Sequence, residues 1–178
     1  MRKVIKKVLL KDVGEFEAKI EDLDLDFSPI MWQHDRVYIP RNYKRGMNYP
    51  RLIMRTKMLS VDGSPVYSLI LKRHIEDSGI DVVDEIVISD YMEAANIVHQ
   101  LGFTKKNEVS RKRQEVVMDD DTMLYVDIVE GIEGVFAKME RAMREDDKVG
   151  EIERDLRRTF EALGENNFVE NPYFEFEK

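Results

Sequence analysis

Arg111 and Arg113 stand two residues apart in Val109-Ser-Arg-Lys-Arg-Gln-Glu115, a stretch that reads as a β-strand. Side chains two apart on a strand leave the same face, roughly 6.6 Å from one another. A guanidinium is permanently charged and meets phosphate through a planar fork of donors, whereas an ammonium acts as a point charge. Two arginines at this spacing are suited to grip successive phosphates from one wall. The same strand phase carries charge elsewhere, at Arg51, Arg55 and Lys57, at Lys72 and His74, at Asp127 beside Tyr125, and at Lys138 and Glu140. The opposite phase carries Leu52, Met54, Leu69, Leu71, Leu124, Val126 and Met139. On one isolated strand this is the ordinary mark of a solvated sheet face. Repeated over five strands, beside helices that also need apolar surface, it fits a closed barrel with a polar lumen and an apolar outer face.

The elements that must position these residues can be read from periodicity and punctuation. Lys3 to Leu10 predicts a first strand, and Asp12 caps a helix from Val13 to Leu23 with Phe16, Ile20 and Leu23 at helical spacing. Met31 to Ile39 reads as a strand stopped by Pro40, and Arg51–Leu59 and Val66–His74 as two strands joined across Val61-Asp-Gly-Ser-Pro65. Val82–Ile88 leads through Ser89-Asp90 into a helix over Tyr91–Leu101 that Gly102 ends. Strands follow at Val109–Met118, Met123–Val129 and Phe136–Arg141, the first two joined across Asp119-Asp-Asp121. A helix over Ile152–Leu163 buries Ile152, Leu156, Phe160 and Leu163, and Pro172–Phe176 reads as a short closing strand. Strands outnumber helices and meet through hairpins, so the fold class is α+β, a mainly antiparallel β-barrel or tunnel with flanking helices.

The chain has 178 residues, 43% hydrophobic and 36% charged, enough for one domain over 1–178 with a single apolar core and a densely charged surface. A net charge of −8 argues against a general binder of DNA or RNA duplexes, so an anion site must come from locally concentrated basic residues. The absence of cysteine excludes disulfides, thiolate metal sites and cysteine nucleophiles. Met1-Arg-Lys-Val-Ile-Lys-Lys7 precedes only three apolar residues, too few for a secretory segment or a membrane span, so the expected location is cytoplasmic with no membrane partner. His34, His74 and His99 show no metal-ligand spacing, Asp119–Asp121 reads as a solvated hairpin tip, and Trp32 is expected in the core. The basic residues Arg41, Lys44, Arg45 and Arg51 either guard an opening or belong to a solvated loop.

Taken in order along the chain, these segments resemble the CYTH family, the triphosphate tunnel metalloenzymes. Lys7-Val-Leu-Leu-Lys-Asp12 before a helix is similar to the family's first strand and its exit. Gln33-His-Asp35-Arg-Val-Tyr38 resembles the second strand, Leu52-Ile-Met-Arg55 the Leu-Arg-Ile-Arg segment, and Ser68-Leu-Ile-Leu-Lys72 the Leu-Thr-x-Lys strand. Val109–Glu115 resembles the Lys-x-Arg strand with Arg in place of Lys, Leu124–Gly131 the Leu-Asp-x-Val-x-Gly segment, and Pro172-Tyr-Phe-Glu175 the tail. The resemblance implies a triphosphate-containing small molecule or nucleotide as ligand, held by Lys7, Arg55, Lys72, Arg111 and Arg113.

The departures bear on catalysis. The family's Glu-x-Glu-x-Lys motif, counted back from Asp12, falls on Lys3, Ile5 and Lys7, so only the lysine is kept. The later Glu-x-Glu pair falls on Lys138 and Glu140. What remains to hold metal is Asp127 and Glu140, enough for one hydrated Mg²⁺ or Mn²⁺ at most. A rival register exists, because Glu15-Phe-Glu17-Ala-Lys19 spells the motif literally; it would delete the first helix and halve the usual spacing to Tyr38. Three readings follow. One is a phosphohydrolase or class IV adenylyl cyclase with one metal, and the second is a non-catalytic sensor of polyphosphate or nucleotide. The third is a structural module whose tunnel is closed by lysine–carboxylate pairs, with Lys138 near Asp127 or Glu140.

Overall fold

The computed structural model describes residues 1–44, 50–59, 63–75 and 80–169. Among them the order is β1 (Arg2–Leu9), α1 (Val13–Glu21), β2 (Met31–Pro40), β3 (Arg51–Met58), β4 (Val66–Ile75) and β5 (Ile80–Ile88). Then come α2 (Tyr91–Gln100), β6 (Phe103–Val117), β7 (Thr122–Val129), β8 (Val135–Ala142) and α3 (Val149–Ala162). The strands close into an eight-stranded barrel in the order β1-β5-β4-β3-β2-β6-β7-β8, every pair antiparallel, with β8 returning to β1. The expected α+β barrel is therefore the observed fold.

Two apolar layers cover the outside of the barrel. Phe16 and Ile20 of α1 and Ile152, Leu156 and Phe160 of α3 pack on Val4, Val8, Val116, Leu124, Val126 and Met139 of β1, β6, β7 and β8. On the other side Val98 of α2 packs on Leu52 and Met54, flanked by Leu69 and Leu71. The outward strand phase is thus the one read from sequence. Helix starts also match: Asp12 accepts from Glu15 N at 2.9 Å and Asp90 from Glu93 N at 2.9 Å, each satisfying an amide the helix leaves unpaired. Gly102, with φ of 86°, turns the chain from α2 into β6, a left-handed backbone that a side chain disfavours.

Three expectations need correction, and one open choice of register is resolved. α1 stops at Glu21, and Leu23 lies 55% exposed beyond it. β6 begins at Phe103, six residues before the expected start, because Phe103 to Glu108 pair with Pro40 to Arg36 across a register shift between Val37 and Tyr38. That shift passes Lys106 and breaks the alternation that would have marked the strand. Trp32 is 40% exposed, on the outward phase of β2, with Lys112 Nζ 4.6 Å from its ring centroid. Finally, Glu15 and Lys19 form an exposed i,i+4 pair at 2.6 Å within α1, so the literal Glu-x-Glu-x-Lys string is a helix face and Lys3, Ile5 and Lys7 are the first-strand positions. Arg45, Val61-Asp62 and the Pro172–Phe176 strand lie outside the described residues.

Candidate functional site

Alternation along eight strands sends one phase inward, and the register decides which inward residues meet. Asp35 lies opposite Arg55 in the β2–β3 pairing, and Gln33 lies opposite Arg111 in β2–β6. Arg113 is opposite Asp127 in β6–β7, Tyr125 opposite Lys138 in β7–β8, and Lys138 opposite Lys7 in β8–β1. All of these residues except Gln33 and Asp127 line one cavity of about 580 Å³ inside the barrel. Lys7, Arg55, Lys72, Arg111, Arg113 and Glu140 therefore share one lumen, as the strand phase requires, and Asp127 is sealed just behind Arg113.

Nine lysines and arginines (Lys3, Lys7, Arg51, Arg55, Lys57, Lys72, Arg111, Arg113 and Lys138) face five carboxylates (Asp35, Asp81, Glu85, Glu115 and Glu140) across this space, and the Lys6–Glu153 pair at its edge is neutral. The lumen thus carries excess positive charge inside a chain of net charge −8, which focuses anions toward it. Arg51, read both with the basic loop and as the start of a strand, opens β3 and joins this wall. Arg41 is instead engaged by His99 at the end of α2, at 3.0 Å. The lumen is not uniformly polar. Val37, Ile53 and Ile70 form an inward apolar cluster with Val83 against it, a feature that a charge-only reading of the phase overlooks.

The carboxylates hold the cations in defined places. Asp35, 3% exposed, accepts from Arg55 Nε at 2.8 Å and Nη2 at 3.0 Å, from Arg111 Nη2, and from Gln33 Nε2 at 3.1 and 3.2 Å. Burial alone would raise its pKa, but the charges of Arg111 and Arg55 outweigh burial and hold the carboxyl well below the ordinary range. Asp127, fully buried, accepts from Arg113 Nε at 2.6 Å and Nη2 at 2.7 Å, with Arg111 Nη1 at 3.9 Å. Here too burial pushes the pKa up, and Arg113 then Arg111 bring it down to about 2. Both bidentate pairs use the Nε edge of the guanidinium, through Nε and Nη2, which fixes the plane of each arginine as well as its position.

A second ionic group sits on β1 and β8. Glu140 accepts from Lys3 Nζ at 2.9 Å through Oε2 and from Lys138 Nζ at 2.5 Å through Oε1. Lys138 also lies 4.5 Å from the Tyr125 ring centroid. Burial lowers its pKa to about 7, Glu140 opposing and Arg113 reinforcing the fall. Lys72 pairs with Asp81 at 2.8 Å, and His74 shares that carboxylate at 3.2 Å.

A divalent ion does not fit the carboxylates proposed for it. Both oxygens of Asp127 and both of Glu140 are already taken by cationic donors, and Lys3 and Lys138 stand where a dication would meet repulsion rather than oxygen ligands. Among the described residues no group of three or more His, Cys, Asp or Glu is arranged to hold a metal. Likewise no helix among them is long and apolar enough to cross a membrane.

Sequence reasoning missed the central part of Asp35. Its place in Gln33-His-Asp35 was visible, but its function as the shared partner of two arginines depends on β2 lying between β3 and β6, a neighbour relation that spacing within one strand does not carry.

No family model matches the chain, and no curated relative matches it either. Solved structures match along almost its whole length. A protein of Pyrococcus horikoshii OT3 has a TM-score of 0.82 at 22% identity, covering 97% of this chain and 96% of its own. A "putative adenylate cyclase" of Vibrio parahaemolyticus has a TM-score of 0.77 at 13% identity, covering 96% and 94%. A "putative adenylyl cyclase" of Hippeastrum, described as having a dominant triphosphatase activity, has a TM-score of 0.63 at 13% identity, covering 98% and 93%. At these identities the likeness establishes the fold: this chain folds as the closed antiparallel barrel that those proteins share.

Proposed function

We propose that the barrel lumen binds the phosphate chain of a triphosphate-containing small molecule or nucleotide, in the manner of a CYTH-type tunnel whose catalytic metal site has been lost. One observation carries this reading: Arg55, Lys72, Arg111 and Arg113, from three different strands, face a single open cavity rather than separate exteriors. A triphosphate chain has about four negative charges near neutral pH, and a cavity walled by an excess of cations stabilises such charge. Arginines preset by Asp35 and Asp127 lose little side-chain freedom when an anion arrives, which favours binding further. The names of the Vibrio and Hippeastrum neighbours agree with a triphosphate ligand at the level of the family.

Turnover is a separate matter. Phosphoryl transfer or cyclisation in such a tunnel relies on carboxylate-held Mg²⁺ or Mn²⁺ to polarise the phosphoryl oxygens, and the carboxylates here are engaged by lysine and arginine. These engaged carboxylates favour a binding module over a hydrolase or cyclase. A purely structural module is less favoured, because the lysine–carboxylate pairs are present but the lumen they line stays open at about 580 Å³.

The test is calorimetric titration with tripolyphosphate and ATP at low ionic strength, with and without Mg²⁺. The wild type should bind at least one of these anions, and Arg55→Gln with Lys72→Gln should weaken binding about tenfold or more, the scale expected for losing charge-assisted hydrogen bonds. Absence of binding under every condition, in folded protein, would remove the proposal. Incubation with tripolyphosphate, ATP or thiamine triphosphate plus Mg²⁺ or Mn²⁺ should release no phosphate or cyclic nucleotide beyond an Arg111→Ala, Arg113→Ala control.

A further inference from the structure

Ammonium groups fill the part of the lumen where a tunnel of this kind would hold its cation. Lys3 and Lys138 each bond one oxygen of Glu140, from opposite sides, at 2.9 and 2.5 Å. Glu140 faces Ile5 across the β1–β8 pairing and Lys138 faces Lys7, so this wall carries three lysines, two of them bonded to Glu140. The other nearby acid, Asp127, is committed to Arg113 and has no exposed surface. Lys3 and Lys138 are 24% and 15% exposed at the side chain, so both ammoniums reach the cavity.

The charge balance of the wall is the important quantity. A carboxylate pair facing a triphosphate repels it and needs a dication between them. With Lys138 protonated, as it is below about pH 7 or with an anion beside it, two ammoniums tied through one carboxylate leave a net positive charge facing the ligand, at fixed positions and with spare donors on each nitrogen. Mg²⁺ keeps an octahedral shell of oxygen ligands and several waters, for which this wall offers no uncommitted carboxylate. A Mg²⁺-bound triphosphate also brings two fewer negative charges to a positive lumen, so its attraction is weaker.

We propose that Lys3 and Lys138, held by Glu140, take the place of a divalent cation, so that the lumen selects the metal-free form of a triphosphate chain and Mg²⁺ competes with the protein for that ligand. The proposal rests on the phosphate-chain reading above and specifies the ionic form that the site accepts.

Tripolyphosphate is titrated into the full chain in EDTA and again in excess Mg²⁺, with thermal melting as a check on folding. The expected result is binding in EDTA that weakens about tenfold or more in Mg²⁺, and a Lys3→Glu, Lys138→Glu variant in which that order reverses. Should the double variant not fold, Lys138→Glu alone should narrow the difference, and the wild-type comparison still decides. Binding by the wild type that is equal or tighter with Mg²⁺ overturns this inference and leaves the phosphate-chain reading standing. Absence of binding in both conditions overturns the two together.

Discussion

Asp35 accepts two hydrogen bonds from Arg55, at 2.8 and 3.0 Å, directly across the β2–β3 pairing, and a third from Arg111 on the neighbouring strand. One carboxylate on the middle strand thus fixes guanidiniums on both sides of it. Asp35 and Arg111 are buried and Arg55 half-buried at the cavity wall, so removing the carboxylate leaves two guanidiniums facing each other without the charge that separates them. Asp35→Asn should cost about 3 kcal/mol of folding stability, the scale for breaking a buried ion pair from one side. Urea denaturation measures it, and a loss below about 1 kcal/mol would show that the arginines find other partners.

Acid should expose the same arrangement through Asp127. Its pKa in the folded protein is about 2, below the ordinary aspartate value of 3.8, so its contribution to stability is complete above the unfolded-state pKa and disappears as pH falls toward 2. The size is about 2 kcal/mol, from the usual conversion of a pKa difference. Denaturation midpoints between about pH 5 and pH 2 should fall more steeply for the wild type than for Asp127→Asn. Parallel slopes would contradict the assignment.

Lys138 has the opposite sense. Its folded-state pKa of about 7 lies below the ordinary lysine value of 10.5, so its charged form penalises the fold below pH 7, and stability recovers as pH rises between the two values. An anion arriving beside it favours the ammonium, so ligand binding near pH 8 should take up to about one proton. Calorimetry of tripolyphosphate in buffers of different ionisation enthalpy should show that uptake in the wild type and less of it in Lys138→Met. Identical uptake in both would rule out Lys138 as the group concerned.

The outer core makes a contrast between two aromatic residues. Phe160 of α3 is fully buried against β1, whereas Trp32 is 40% exposed. Phe160→Ala should cost about 3 to 5 kcal/mol. Trp32→Ala, losing one surface contact with Lys112, should stay within about 1 kcal/mol. Comparable losses at the two positions would place Trp32 in a packing role that its exposure does not indicate.

How much of this was legible beforehand follows from what a linear pattern encodes. Period-two alternation at Arg51–Lys57, Arg111–Arg113 and Lys138–Glu140 marked the inward phase correctly, because strand geometry alone determines which side chains share a face. Asp12 and Asp90 marked helix starts for a similarly local reason. The exposure of Trp32 was not legible, since a large aromatic residue on an alternating strand looks the same whether a helix covers its face or not. Nor were the first six residues of β6, where a register shift and a run of charge hide the period. Lys138 beside Glu140 was within reach as a same-strand pair, but Asp35 with Arg111, and Lys3 with Glu140, are joined only once the barrel closes, 76 and 137 residues apart in sequence.

The most direct test of the lumen as a phosphate-chain site is a crystal structure of the protein grown with tripolyphosphate. Phosphate density should appear inside the barrel, within hydrogen-bonding distance of Arg55, Arg111 and Arg113, with Lys3 and Lys138 facing the same chain. An empty lumen with phosphate bound only on the outer surface would contradict it.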